Sequence, residues 1–94
     1  MRIKILGEAE TLTTTPSDIS KGTDVYLYNT PSNLTGAAST RTVSLYESDG
    51  TTVVGSFALT VGIPLIINKR ANQKIKVDTD QNGNVSATKV AYVG

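Results

Sequence analysis

The sequence contains no cysteine, no histidine and no tryptophan, and a single phenylalanine. Without cysteine there is no disulfide framework, no thiolate metal site and no cysteine nucleophile. Without histidine the chain lacks the side chain best suited to proton transfer near neutral pH, which is also the commonest metal ligand. Charge of either sign is sparse as well. Lys and Arg number 9 and Asp and Glu 8, a formal charge of +1, which is neither a basic footprint for nucleic acid nor an acidic tail. No run approaches the roughly 20 apolar residues of a membrane-spanning helix. The opening Met1–Gly7 is basic but alternates, and it has no long apolar region of the signal-peptide kind. These absences predict a protein that is not an enzyme, with no catalytic, cofactor-binding or metal-binding residues, no cofactor, and neither nucleic acid nor membrane as a partner. They also predict a chain unprocessed at its N-terminus and assembled in a reducing cytoplasm.

What is present is threonine, the most frequent residue, with valine and isoleucine. β-Branched side chains are stiff at χ1 and fit a pleated surface better than a helix. The 94 residues suit one domain, 1–94, which at this size buries roughly 60–65% of its unfolded surface. Short alternating runs separated by turn chemistry predict an all-β fold: a small antiparallel β-sandwich or barrel of about seven short strands, with no significant helix.

Arg2 to Gly7 alternates charged with aliphatic residues and places Ile3 and Ile5 on one face. Glu8 to Thr15 continues extended until Pro16 breaks it. In Thr23 to Asn29, Val25 and Leu27 face one way and Asp24, Tyr26 and Tyr28 the other. A loop of small residues, Thr30 to Ser39, precedes Arg41 to Glu47, where Val43 and Leu45 oppose Thr42, Ser44 and Tyr46. Ser48-Asp49-Gly50 is a hairpin turn. The return strand, Thr52 to Val61, aligns Val53, Phe57, Leu59 and Val61, and Gly55 in that face marks a bulge or a close backbone approach. Leu65-Ile66-Ile67 does not alternate, which implies cover on both faces, and Pro64 suits the first residue of a non-central strand. Asn68 to Gln73 is a loop or a single helical turn, and Lys74 to Asp78 a strand. Asp80 to Asn84 turns the chain into a last strand, Val85 to Val93. The expected core is Ile3, Ile5, Val25, Leu27, Val43, Leu45, Phe57, Leu59, Ile66, Ile75 and Val77.

Four groupings invite a chemical reading. Asp78-Thr79-Asp80-Gln81-Asn82-Gly83 matches the opening of a calcium loop, but the twelfth position, which needs a bidentate Glu, is Lys89. Asn-Gly between alternating runs is already a hairpin signal, and the turn is the reading adopted. The carboxylate pairs Glu8 and Glu10, Glu47 and Asp49, and Asp78 and Asp80 would suit glycoside hydrolysis only if held across a cleft; each is spaced i, i+2, so solvated edges and turns are expected. Lys69, Arg70, Lys74 and Lys76 form the one basic cluster. No aromatic residue between Phe57 and Tyr92 interleaves it for base stacking, so it reads as charge protecting a sheet edge. Tyr26 and Tyr28 share a face and either cap the core or form a contact platform.

The order of segments carries a resemblance. Met1–Ile5, Ala9–Thr13, Val25–Thr30 and Thr42–Tyr46 are followed by Val54–Leu59, Pro64–Lys69 and Val85–Tyr92. The whole resembles small virion structural proteins of tailed bacteriophages, especially those of cyanobacterial and other marine phages. The resemblance covers most of the chain and lies in style and segment order, so no functional residue is carried over from it. It implies a structural, non-enzymatic protein of the virion, a capsid decoration or cement protein that stabilises the head. The major capsid protein or other virion proteins would be its partners, with the chain a homo-oligomer or bound to a lattice. The alternatives are a neck or tail accessory protein, or an immunoglobulin-like adhesion module that binds glycan or a host surface. The strand around Ile3 and Ile5, or the last strand near Val90 and Tyr92, is the expected edge for extending a neighbour's sheet. With Lys89 where a calcium ligand belongs, millimolar calcium should leave the thermal midpoint unchanged. A rise that Asp80→Ala abolishes would reveal a cation site.

Overall fold

Residues 2–30, 40–78 and 85–93 are described by a computed structural model, the side chains of residues 92 and 93 excepted. Among them the alternating segments form eight strands and no helix: β1 (Arg2–Ile5), β2 (Glu10–Thr11), β3 (Asp24–Asn29), β4 (Thr40–Tyr46), β5 (Val53–Thr60), β6 (Leu65–Asn68), β7 (Lys74–Val77) and β8 (Val85–Val93). The fold is an all-β sandwich with one strand more than expected, the two-residue β2. The expected loop at Thr30–Ser39 and turn at Asp80–Asn84 lie almost wholly outside the described residues. Of the segment expected as a loop or helical turn, Asn68 ends β6 and residues 69–73 form a loop with a tight turn and no helix.

One antiparallel sheet runs β1-β8-β3-β6, with β2 also on β8; the other runs β5-β4-β7. β8 serves both β1, through Ile5↔Val90, and β2, through Glu10↔Ala87. The register slips over residues 6–9, where the Leu6 amide donates to the Lys89 carbonyl at 2.9 Å. β1 and β2 are thus one interrupted edge strand. β8 is interior, so the last strand is not the edge that was expected; β1 is. This order also departs from the immunoglobulin arrangement, in which the first two strands are neighbours, because β8 lies between β1 and β3.

The two sheets close on a shared core. Leu12, Ile19, Val25, Leu27, Val85 and Ala87 meet Val43, Leu59, Ile75 and Val77, with Leu45, Phe57 and Ile67 packed against them. Six of the expected core residues are buried, and Leu45 and Phe57 are partly so. Ile3 and Ile5 are corrected: they lie on the outer face of the first sheet, and Ile5 is 71% exposed. Alternation shows which residues share a face, not which face turns inward. Ile66 is corrected too. It pairs with Tyr26 on the outer face, while Ile67 pairs with Val25 and packs inward. The Leu65–Ile67 run is not covered on both faces; it forms an edge strand, beginning just after Pro64. Val53 leaves the inward face because the register shifts between Leu45 and Tyr46: Leu45 pairs with Gly55 and Tyr46 with Val53, leaving Val54 as the extra residue of a bulge. Gly55 thus flanks a bulge, and no close approach occurs there, since nothing lies within 4 Å of where its Cβ would be.

Beyond β2 the chain crosses from one sheet to the other. The Thr13 carbonyl accepts from the Val77 amide at 3.1 Å, and Ser17 and Ile75 exchange bonds of 3.0 and 2.8 Å. This segment closes the flank beside β7. The chain then makes a left-handed turn, Ile19, Ser20 and Lys21 having φ of 52°, 53° and 59°, a conformation costing roughly 1–2 kcal/mol per non-glycine residue. The turn drives Ile19 into the core, where it is 1% exposed. Leu27→Ala should cost about 2–5 kcal/mol in denaturant unfolding, as a buried large-to-small change does. Ile5→Ala should stay within about 0.5 kcal/mol, as an exposed change does. Equal losses for the two would contradict the assigned faces.

Candidate functional site

The pairing of β1, β8 and β3 gathers apolar side chains on the outer face of the first sheet. Ile3 and Ile5 stand on β1, Thr88 and Val90 on β8 and Tyr26 on β3, in register through Ile5↔Val90 and Tyr26↔Thr88. Together they line a groove of about 290 Å³. Val90 is its floor, only 2% exposed although it lies outside the core cluster, and Ile5 stands above it. Ile66 continues the apolar surface beyond Tyr26. Among the described lining residues the Tyr26 and Thr88 hydroxyls are the only polar side-chain atoms. A sugar would need converging hydrogen-bonding groups; this groove fits aliphatic side chains.

A second apolar surface is the flank opposite the crossing segment. There Asn29 Nδ2 donates to the Leu59 carbonyl at 3.0 Å, tying β3 to β5. Residues 61–64 join β5 to β6, and the Gly62 amide donates to the Asn29 carbonyl at 2.8 Å. Val53 and Val54 at the start of β5, and Ile63 and Leu65 beyond its end, are all exposed. From Gly50 through Asn68 the chain carries no charged residue, a sequence signal that reading strand by strand missed.

The chemical groupings dissolve into structural roles. Glu10 accepts from the Ser17 hydroxyl at 2.6 Å, and Glu47 from Gln73 Nε2 at 2.9 Å. Asp49 Oδ1 accepts from the Thr51 and Thr52 amides, both at 2.9 Å, and Oδ2 from the Thr52 hydroxyl at 2.6 Å. The Thr52 hydroxyl first, then these amides, hold the Asp49 carboxyl at about 2, well below the usual carboxylate range. Of the calcium-loop candidate only Asp78 is described; it is exposed, and its amide donates to the Thr42 carbonyl. Lys89 lies within β8 opposite Val25. No group of three or more His, Cys, Asp or Glu among the described residues is placed to hold a metal ion.

The basic cluster also separates. Lys69 is 4% exposed, and its ammonium donates to the Arg70 and Ala71 carbonyls at 3.2 and 3.3 Å. Desolvation lowers its pKa, opposed by the charge of Asp18. Lys74 and Lys76 instead share the outer face of the second sheet with Tyr46, and Lys76 Nζ lies 5.2 Å from the Tyr46 ring centroid. Lys76 thus makes a cation–π contact with the ring of the neighbouring strand. Tyr26 and Tyr28 are half-buried on one outer face, as their alternation implied.

No family model, no curated protein and no solved structure matches the chain.

The Asp49 turn yields a pH dependence. Its folded-state value lies below the unfolded value of about 3.9. The stabilisation is therefore complete above that value and is lost as pH falls toward 2. Thermal midpoints of the parent and Asp49→Ala should differ by a constant amount above about pH 5, draw together below about pH 4 and converge only near pH 2. A gap independent of pH would show that Asp49 acts through something other than its charge.

Proposed function

We propose that this protein is a non-enzymatic structural component of a bacteriophage particle, a capsid decoration protein that docks on the major capsid protein and works as an oligomer. The observation that carries the docking role is the groove of Ile3, Ile5, Tyr26, Thr88 and Val90. It is an apolar strip on a sheet face whose described lining residues bring no converging charges or hydrogen-bonding groups to direct chemistry. An apolar lining of this kind suits the aliphatic side chains of a protein partner. The kind of assembly comes from the resemblance in segment order, and the small core of a cysteine-free domain favours added burial from partners. Specific stable contacts bury at least about 1,000 Å² in total, more than this groove provides alone. The capsid contact therefore extends along β1 and across the Tyr26–Ile66 rows.

Particles lacking the protein should assemble normally but burst at lower temperature or milder osmotic shock. Purified protein should bind undecorated capsids, and Ile5→Asp should weaken that binding at least about tenfold, the worth of one buried aliphatic side chain. Because Ile5 is 71% exposed, the variant should keep its β-sheet spectrum. Many copies per particle mark decoration, whereas one ring of copies would move the protein to the neck or tail. Failure to bind capsids, with glycan binding that depends on Tyr26 or Tyr28, would replace this reading by the adhesion module.

A further inference from the structure

Sandwich edges expose unpaired backbone groups, and natural domains blunt them with charge, proline, short length or cover. Three of the edges here are blunted. β1 carries Arg2 and Lys4 and is interrupted before β2. β7 carries Lys74 and Lys76, and the crossing segment bonds along it through Thr13 and Ser17. β6 has only four residues and follows Pro64. β5 has none of these devices. It is eight residues long, without charge or proline, and almost wholly exposed. Among the described residues nothing pairs with its outer edge.

We infer that the β5 edge pairs antiparallel with β5 of a second copy about a two-fold axis through Ser56, forming a continuous sheet across the dimer. The register follows from the strand's own side chains. In an antiparallel pair centred on Ser56, Gly55 of each copy lies opposite Phe57 of the other, and Val54 opposite Ala58. Gly55 faces inward across from Leu45, and nothing lies within 4 Å of where its Cβ would be. Phe57 packs on the core from the same face yet remains partly exposed at the flank. An aromatic ring laid over an edge glycine of the facing strand fills such a gap, and the two-fold makes that contact twice. A second copy fits better than an unrelated strand because an isologous interface needs one patch complementary to itself. The uncharged stretch from Gly50 through Asn68 meets its own copy without like-charge repulsion. This inference rests on the oligomeric half of the proposed function and not on the capsid.

The chain has no cysteine, which makes the register directly testable on purified protein without particles. In either type of antiparallel pair, facing residues have Cα atoms about 4.5–5.5 Å apart, within disulfide reach. Ser56→Cys, at an exposed outer position, should form a covalent dimer readily under mild oxidation. Thr60→Cys should not, because its facing residue is Thr52. Sedimentation equilibrium should show a dimer for the parent and a monomer for Ala58→Lys, with unchanged β-sheet spectra. A parent that stays monomeric, or cross-linking through Thr60→Cys but not Ser56→Cys, overturns the proposal. Either result leaves capsid binding through Ile5 to be judged by its own assay.

Discussion

The sandwich depends on the placement of β8. It is the last strand in sequence but the most connected in space, pairing with β1 and β2 along one side and β3 along the other. Its inward residues Val85 and Ala87 join the core, and its outward Val90 floors the groove. The first sheet has no continuous ladder without it, because β1 and β2 touch β3 only through it. Each of its pairings joins residues far apart in the chain, so loop-closure entropy is lost before contacts form, the regime in which all-β domains fold slowly.

The unlike treatment of the two flanks gives the molecule a direction. One flank is sealed by the chain itself, where residues 13–17 step from one sheet to the other and bond along β7. On the other, among the described residues, no strand lies beyond β5 or β6, and Val53, Val54, Ile63 and Leu65 are exposed. Two of those residues, Val53 and Val54, are exposed because of the bulge opposite Leu45 and Tyr46, which turns the start of β5 outward. The apolar groove beside β1 lies on the face of the first sheet turned away from the core. Buried polar groups such as Lys69, Gln73 and Asn29 are spent on holding loops and sheets together.

Much of this architecture is written in local alternation, and the exceptions have physical causes. β3, β4, β7 and β8 are legible because each alternates between turn residues, and Val25, Leu27, Val43, Ile75 and Val77 follow. Ile3 and Ile5 are misplaced by the same rule, since their alternation fits an apolar outer face as well as a core. In Leu65-Ile66-Ile67, without alternation, only pairing with β3 distinguishes Ile66 from Ile67. Ile19 leaves no trace: a β-branched residue in a left-handed turn runs against local preference, and only core burial offsets that cost. The groove draws on three strands remote in sequence, so no local motif could announce it. The uncharged stretch from Gly50 through Asn68 was the one readable sign of the open flank.

The pairing of Arg2 with Val93 has a mechanical consequence. The two ends of the described fold leave it at one point, from neighbouring antiparallel strands. A tensile load between them peels β1 from β8 one rung at a time, so each bond meets the full force alone. A load entering through the groove and leaving through the β5 flank instead crosses the sandwich broadside and is shared by many rungs and the whole core. A protein that ties neighbours together would be soft if tethered by its ends and stiff if gripped by its sides, and its apolar surfaces lie on its sides.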